Sequence, residues 1–216
     1  LSITERPITV TADAKSKTYG ETDPAFTYQI TSGTIVNSDT FSGNLSRDAG
    51  EDVGTCSITS TLLNANYAIT YVSDSLTISS KAVTVTADTK SKTYGDEDPS
   101  LTYQITTGAL EDGDTFSGTL SRTSGETTGT YVIEQNSLAL SANYALTYVA
   151  DSLTISPKAI GVTADAKSKT YGDEDPALTY TITSGALEGG DSFSGNLSRD
   201  SGESTDTYTI TQGTLT

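Results

Sequence analysis

The sequence predicts an all-β protein made of tandem, small antiparallel β-sandwich modules in an elongated rod. Three observations predict it. One twelve-residue segment occurs three times, apolar residues alternate in short runs, and no stretch shows the 3.6-residue period of a helix. The 216 residues include 12 tyrosines and 4 phenylalanines but only 5 prolines. This composition favours β-strands over a disordered chain.

The repeat is the strongest signal in the sequence. Tyr19, Tyr94 and Tyr171 occupy the same place in the three copies and lie 75 and 77 residues apart. The two extra residues fall between Gly118 and Tyr144, where we predict a longer hairpin loop. The copies read TVTADAKSKTYG at 9–20, TVTADTKSKTYG at 84–95 and GVTADAKSKTYG at 161–172.

The phase of the repeat divides the chain into four segments. Leu1–Ile3 aligns with Leu76–Ile78 and Leu153–Ile155, each of which closes a repeat. The third copy stops at Thr216, before any equivalent of Tyr144–Ile155. The predicted segments are residues 1–6, the closing strand of a preceding repeat; 7–80, the first repeat; 81–157, the second repeat; and 158–216, a third repeat truncated before its last strands.

Alternation with a period of two predicts the strands within a repeat. In the second repeat the alternating runs are Val83–Val85, Leu101–Ile105, Phe116–Leu120, Tyr131–Ile133, Tyr144–Tyr148 and Leu153–Ile155. Turn clusters such as Gly95–Pro99 separate them. The joins between repeats are short, and the join at Ile155–Ile160 contains Pro157. Such joins favour a semi-rigid, nearly collinear array over a flexible linker.

Composition and charge exclude several classes of function. The formal net charge is −16, so phosphate backbones and anionic membrane surfaces repel the chain. We therefore expect no nucleic-acid partner, and the absence of a long apolar stretch predicts no direct membrane insertion in this segment. The chain has no histidine, the commonest general base, and Cys56 is its only cysteine. An intrachain disulfide and a cysteine-based zinc site are therefore excluded.

Motifs within the repeats carry a family resemblance. A Lys-Thr-Tyr-Gly-Asp/Glu signature at Lys17–Glu21, Lys92–Asp96 and Lys169–Asp173 precedes Asp-Pro and an alternating strand. The first two repeats then carry Asn-Tyr-Ala-Ile/Leu-Thr-Tyr and close on Asp-Ser-Leu-Thr-Ile. In these motifs the chain resembles the MBG-type bacterial extracellular repeat, the variety marked by Tyr-Gly. The resemblance implies an Ig-like or β-grasp-like module, found in tandem in secreted or surface-anchored proteins, commonly adhesins, and it implies no catalytic residue.

These observations favour a non-enzymatic structural stalk or spacer of a bacterial cell-surface adhesin or extracellular fibre. Its partners are then the neighbouring repeats of the same chain. The alternative is a repeated glycan- or host-protein-binding module that acts through its acidic loops. The loop Thr93–Pro99 recurs almost unchanged, whereas a binding module would be expected to vary its loops. No cofactor is expected, apart from calcium as a candidate.

Acidic turns are the candidate metal site. Calcium takes six to eight hard oxygen ligands, which turns rich in aspartate and glycine can supply. The alternative is that these turns are plain solvated loops that keep the protein soluble. The candidate ligands are Asp96, Asp98, Asp112, Asp114, Asp173 and Asp175.

The lysines of the signature have two interpretations. Lys90 and Lys92, with Asn66 and Asn143, are the residue types of an intramolecular Lys–Asn isopeptide crosslink. A Lys-Ser-Lys segment is more typical of an exposed, charged strand edge, which prevents edge-to-edge pairing. We therefore expect these lysines to be exposed.

The Tyr-Gly pair is predicted to be structural. We expect Tyr94 and Tyr171 to be buried, because each lies where a strand turns into the acidic loop. Gly95 and Gly172 are expected to adopt a backbone conformation unfavourable to other residues.

The two ends of the sequence suggest an assembly. Without its last strands the third repeat is expected to expose Tyr180, Phe193 and Tyr208 beside unpaired backbone. Leu1–Ile3 of another chain matches the segment that pairs there in the other repeats. Exchange of this strand predicts head-to-tail self-assembly into a filament. The alternative is that the missing strands follow in the native chain.

Overall fold

A computed structural model describes residues 1–216 and consists of strands and turns. It contains no helix, and therefore none of the length and apolar character needed to cross a membrane. The prediction of an all-β chain with tandem repeats is confirmed. The residues form two compact units, and the second repeat contributes to both. The first unit comprises residues 1–89, 101–123 and 132–152, and the second comprises residues 90–100, 124–131 and 153–216.

The first repeat lies entirely in the first unit and forms two mixed sheets. One has the strand order β3-β1-β6 and the other β2-β7-β5-β4. Strand β1 runs antiparallel to β3 but parallel to β6, and β2 runs parallel to β7. The prediction of purely antiparallel modules is therefore wrong. The strands are β1 (Arg6–Ala12), β2 (Lys15–Thr18), β3 (Tyr28–Ser32), β4 (Leu45–Arg47), β5 (Gly54–Ser60), β6 (Tyr67–Val72) and β7 (Ser75–Ser79).

The parallel pairs have a topological cause. Four strands, β2 to β5, lie between β1 and β6 in the sequence. A crossover of this length lets the chain return to the first sheet in the same direction, whereas a tight hairpin enforces an antiparallel pair. The alternation of side chains specifies which face of a strand is buried, but it carries no information on the direction of the neighbouring strand.

The core of the first repeat draws on both sheets. The inward side chains of β1, which are Ile8, Val10 and Ala12, are buried at every second position. Ile58 on β5, and Leu76 and Ile78 on β7, are the buried residues of the other sheet. The Tyr71 hydroxyl on β6 donates a hydrogen bond to the Ile58 carbonyl oxygen at 2.8 Å and so links the two sheets.

The second repeat has seven strands, and the part of it in the first unit reproduces this arrangement. Its sheet has the order β10-β8-β13, with β8 antiparallel to β10 and parallel to β13. Strand β11 pairs with β12, which ends at Glu134. A turn from Gln135 to Leu138 follows, with Asn136 at a φ of +48°, within the stretch where the longer loop was predicted. The strands are β8 (Lys81–Ala87), β9 (Lys90–Thr93), β10 (Tyr103–Thr107), β11 (Ser121–Arg122), β12 (Gly129–Glu134), β13 (Tyr144–Val149) and β14 (Asp151–Ser156).

The second unit contains the parallel pairing of β9 with β14 and the third repeat. The strands of the third repeat form two antiparallel pairs, β15 with β16 and β17 with β18. Tyr180, Phe193 and Tyr208 are half-buried, so the prediction that they are exposed is wrong. The rings of Tyr180 and Phe193 cover each other, with centroids 5.3 Å apart. The strands are β15 (Gly161–Ala164), β16 (Tyr180–Ser184), β17 (Ser198–Arg199) and β18 (Ile210–Thr211).

Candidate functional site at the repeat junctions

The first junction, between the first and second repeats, begins where β2 ends. Strand β2 stops at Thr18, and the Tyr19 amide donates to the Ser79 carbonyl oxygen at 2.8 Å. Gly20 has a φ of +84°, a left-handed conformation that glycine adopts without strain. The turn places the half-buried Tyr19 ring against the core cluster of the second repeat, which includes Val83.

Three residues of the second repeat receive the Tyr19 side chain, and we call Glu111, Asp114 and Tyr144 the socket. The Tyr19 hydroxyl donates to Asp114 Oδ2 at 3.0 Å. The Tyr144 hydroxyl donates to the same oxygen at 2.6 Å and accepts a hydrogen bond from the Glu111 amide at 2.8 Å. The Tyr19 and Tyr144 rings meet edge to face, with centroids 5.4 Å apart and an interplanar angle of 73°. Aromatic pairs prefer this geometry.

The socket keeps both tyrosines protonated. Burial, followed by the hydrogen bond to Asp114, raises the pKa of Tyr144 to about 12. The hydrogen bond to Asp114 also raises the pKa of Tyr19 above its ordinary value. Both hydroxyls therefore remain hydrogen-bond donors well above neutral pH.

Gly20 is also required for close approach. A Cβ atom at this position would overlap the carboxyl group of Glu111. That carboxylate forms an ion pair with Lys81, the first residue of β8. Glycine thus allows both the left-handed turn and the contact with the next repeat.

Asn143 makes a second set of contacts at the first junction. Its side-chain amide donates to Asp52 Oδ1 at 2.8 Å. Its side-chain oxygen accepts a hydrogen bond from the Val53 amide at 2.9 Å. The loop before β5 in the first repeat is therefore bound to the residue that precedes β13 in the second.

The second junction, between the second and third repeats, lies within the second unit and repeats the first. The Tyr94 hydroxyl donates to Asp191 Oδ1 at 3.4 Å. Gly95 has a φ of +89°, and a Cβ atom there would overlap the carboxyl group of Glu188. Glu188 forms an ion pair with Lys158, as Glu111 does with Lys81. The same residue types therefore make the contact twice in one chain.

The predictions for the Tyr-Gly pairs are partly confirmed. Gly95 and Gly172 have φ values of +89° and +93°, as expected. Tyr94 is half-buried, but Tyr171 is 75% exposed, so the prediction that Tyr171 is buried is wrong. The physical reason is that these tyrosines pack on the following repeat and not on their own core.

A comparison with protein families identifies the repeats. The model of the MBG domain, YGX type, matches residues 8–77, 83–154 and 160–216. The chain belongs to the MBG domain family. The resemblance inferred from the signature is confirmed. MBG repeats are structural repeat domains typical of extracellular surface proteins. No curated protein and no solved structure matched the chain.

The six candidate calcium ligands of the MBG repeats lie in different surroundings. Asp114 belongs to the socket, Asp98 forms an ion pair with Lys92, and Asp175 forms ion pairs with Lys169 and Arg199. The Asp96 carboxylate accepts a hydrogen bond from the Thr93 amide at 3.3 Å. The other two candidates, Asp112 and Asp173, are exposed. The structure gathers no group of three or more acidic side chains that could hold a metal, and calcium binding stays a prediction.

The first two MBG repeats each contain a buried lysine, Lys17 and Lys92, at a position where the sequence predicts an exposed one. The Lys17 side chain is only 3% exposed and pairs with Asp23 at 2.7 Å and Glu51 at 2.5 Å. Arg47 pairs with the same two carboxylates. We call Lys17, Asp23, Arg47 and Glu51 the charge quartet. Its two positive and two negative groups neutralise each other, which permits burial of the ammonium group.

The charge quartet recurs in the third repeat as Lys169, Asp175, Arg199 and Glu203. Hydrogen bonds from Arg47, and then from Lys17, lower the pKa of Asp23 to about 2. Arg199, followed by Lys169, lowers the pKa of Asp175 to about 2 in the same way. These carboxylates are therefore ionised partners in a structural network.

The contacts of Lys92 in the second repeat differ from both interpretations of the signature lysines. Lys92 is buried and pairs with Asp98 at 2.7 Å and Glu126 at 2.5 Å, so the prediction that it is exposed is wrong. Asn143 bonds to Asp52 and Val53 at the first junction. The contacts of Lys92 are thus carboxylates, and the isopeptide pairing with Asn143 is not formed.

Proposed function

We propose that the chain is a non-enzymatic structural stalk or spacer of a bacterial extracellular protein, such as an adhesin or a surface fibre. Its MBG repeats, as Ig-like or β-grasp-like modules, are coupled there into a semi-rigid array. The observation that supports this proposal most is the first junction, where Tyr19 and Gly20 of one repeat pack on the socket of the next.

The join between the first two repeats supports stiffness. Strand β7 ends at Ser79 and β8 begins at Lys81, so one residue separates the last strand of one repeat from the first strand of the next. A one-residue join leaves two backbone dihedral angles free, and the Tyr19 contact lies beside it. Domains joined by a linker alone move relative to each other by default. Directional contacts on two sides of a short join oppose this motion.

The chemistry of the first junction suits an extracellular spacer. Its hydrogen bonds involve tyrosine hydroxyls that stay protonated and an asparagine side chain that does not titrate. The ring pair is insensitive to salt, unlike an exposed ion pair. We therefore expect the coupling to persist from neutral pH to well above it and over a wide range of ionic strength.

The alternative of a binding module that acts through its acidic loops stays a prediction. Four of the six loop aspartates are already engaged by residues of the chain itself: Asp96, Asp98, Asp114 and Asp175. A ligand at those positions would have to compete with these contacts.

Distance measurements between spin labels on the first two repeats test the proposal. Thr31 and Thr106 occupy matching exposed positions on β3 and β10, and labelled cysteines there, with Cys56→Ser, report the spread of inter-repeat distances. We expect a narrow distribution in the parent chain and a broad one in the Tyr19→Ser variant. The matched control is Tyr171→Ser, which removes the same side chain at an exposed position.

Two outcomes would contradict the proposal that the chain is a stalk. One is a parent distribution as broad as that of Tyr19→Ser. The other is a radius of gyration near 17 Å by small-angle scattering, which is the value for a compact domain of about this length. Repeats of roughly 30–40 Å placed end to end would reach about 100 Å.

A further inference from the structure

The first two and the last two strands of the first repeat pair with each other in parallel. Strand β1 lies beside β6 with Arg6 opposite Tyr67, and β2 lies beside β7 with Lys15 opposite Leu76. Opposed residues are 61 positions apart in both pairs. The two ends of the repeat therefore run side by side in one constant register, first in one sheet and then in the other.

These paired strands also connect the repeat to its neighbours. Strand β1 is the first strand of the repeat, and its last strand, β7, ends one residue before β8 begins. Each is a central strand of its sheet, with β1 between β3 and β6 and β7 between β2 and β5. Tension along a tandem array therefore enters the repeat at the start of β1 and leaves it at the end of β7.

The parallel pairing decides how tension acts on the hydrogen bonds. Pulling the start of β1 away from the end of β7 drives the paired strands past each other along their own axes. The hydrogen bonds between parallel strands lie across this direction, so many of them have to break together. A pair of strands that is pulled apart from one end opens one bond after another. Because each bond contributes little by itself in water, the resistance depends on how many bonds share the force.

Buried side chains also oppose sliding of the paired strands. Successive side chains point to opposite faces of a strand, so a shift of β1 by one residue would take Val10 out of the core and place Thr11 in it. On β7, Leu76 and Ile78 are buried in the same alternating way. The carboxylates of the charge quartet hold Lys17 of β2 opposite Ile78. The register is therefore fixed by the core as well as by the backbone.

The second repeat has the same construction. Strand β8 runs parallel to β13 with Lys81 opposite Tyr144, and β9 runs parallel to β14 with Lys90 opposite Leu153. Opposed residues are 63 positions apart in both pairs. The two additional residues of this repeat therefore lie outside the paired strands and leave their register constant. Strands β8 and β14 are again central in their sheets.

We propose that the first two repeats are tension-bearing modules, in which the parallel pairing of the end strands resists unfolding when the chain is pulled along its length. We call these paired end strands the clamp; it comprises residues 6–18 and 67–79 in the first repeat, and 81–93 and 144–156 in the second. This function goes beyond the proposed stalk, which concerns stiffness between repeats. It does not depend on that stiffness, because a flexible junction transmits tension as a rigid one does.

Single-molecule force spectroscopy on the 216-residue chain tests the clamp of the first repeat in two pulling geometries. Handles attached through Glu5→Cys and Ser80→Cys, with Cys56→Ser, pull the paired strands along their axes. Handles attached through Glu5→Cys and Ala65→Cys pull on the adjacent starts of β1 and β6, and so open the same pair from one end. The three attachment positions lie outside the strands, so the two chains share one fold and differ in where the force acts.

We expect the unfolding force between residues 5 and 80 to exceed that between residues 5 and 65 by about twofold or more, because many hydrogen bonds share the force in the first geometry. Forced unfolding depends on the unfolding rate, so both chains are pulled at the same loading rate. The released length, roughly 250 Å for residues 5–80 and roughly 200 Å for residues 5–65, identifies the unfolding of this repeat. Equal midpoints of urea unfolding are the control for equal stability.

Equal unfolding forces in the two geometries, or a lower force between residues 5 and 80, would overturn the proposal. This result is distinguishable from failure of the stalk. A broad distribution of inter-repeat distances contradicts the semi-rigid array, but it leaves the ratio of the two unfolding forces unchanged, because both handles lie on the first repeat or at its end.

Discussion

Replacement of Tyr19 by alanine is the most direct probe of the first junction. The side chain contributes little to its own repeat, because its ring packs on Tyr144 and its hydroxyl bonds to Asp114 of the next repeat. The variant therefore removes the inter-repeat contact while leaving the strands of both repeats intact. We expect lower stability of the first and second repeats together.

The structure sets the size of the effect. An edge-to-face ring pair contributes about 0.5–1.5 kcal/mol beyond the area that it buries. A chain of this length loses roughly 2–4 °C in Tm per kcal/mol. The ring pair alone thus predicts a decrease of about 1–6 °C, and the lost hydrogen bond to Asp114 adds to it. Thermal melting followed by circular dichroism measures this shift.

Tyr171→Ala provides the matched control. Tyr171 occupies the same place in the signature but is 75% exposed, so its removal should leave Tm unchanged. Equal shifts for the two variants would mean that the signature tyrosine acts within its own repeat. An unchanged Tm for Tyr19→Ala would mean that the junction contact does not stabilise the chain, and the argument for coupled repeats would fail.

Three further predictions concern ionisable groups. Asp114→Asn should return the pKa of Tyr19 toward its ordinary value, because the carboxylate that raises it is removed; ultraviolet titration of tyrosinate measures this change. Lys17→Met should lower the unfolding free energy by about 1–3 kcal/mol in urea titrations, since it removes the buried ammonium group that pairs with both carboxylates and leaves Arg47 as their remaining partner. Lys15→Met, without an ion pair, should have little effect. The pKa of Asp23 is about 2 in the folded state, below its unfolded value of about 3.9, so its ion pairs stabilise the fold above about pH 4 and are lost as the pH falls toward about 2. Asp23→Asn should therefore make Tm decrease less between these pH values than it does in the parent. An equal decrease of Tm in the two proteins would contradict the role assigned to the charge quartet.

Much of the fold follows from local pattern. The alternation at Val83 and Val85, and at Leu153 and Ile155, predicts buried positions that the structure confirms. Side-chain alternation has the period of a strand and needs no knowledge of the partner. The parallel pairing of β1 with β6 has no such local signal, since it depends on how the chain crosses between sheets.

The charge quartet shows why the general rarity of buried lysine gives a wrong prediction for Lys17. Lysine is rarely buried, and this favoured an exposed edge for the Lys-Ser-Lys segment. The side chains of Lys15 and Lys17 point to the same face of β2, but only Lys17 forms ion pairs, with two carboxylates that Arg47 also binds. The recurrence of Lys, Asp, Arg and Glu at matching places in all three repeats is visible in the sequence. The sequence does not show that these residues form ion pairs, because the fold has to bring together residues 34 positions apart, such as Lys17 and Glu51.

The sequence predicts only part of the structure of the Tyr-Gly signature. The left-handed conformations of Gly95 and Gly172 follow from a strand that must turn at once. The position of the tyrosine side chain does not follow from that turn, because its partner belongs to the next repeat. Tyr19 contacts Asp114, which is 95 residues away, and Tyr94 contacts Asp191 at a separation of 97.

This location changes what the signature means for the MBG repeat. Residues that define a family usually serve the core of the domain that carries them, yet Tyr19 and Gly20 contact the socket of the following repeat. A single repeat therefore presents an exposed tyrosine at one end and a socket without an incoming tyrosine at the other. The contact between them forms where one repeat follows another in the chain. The smallest unit in which the tyrosine of the signature makes its contact is therefore a pair of repeats.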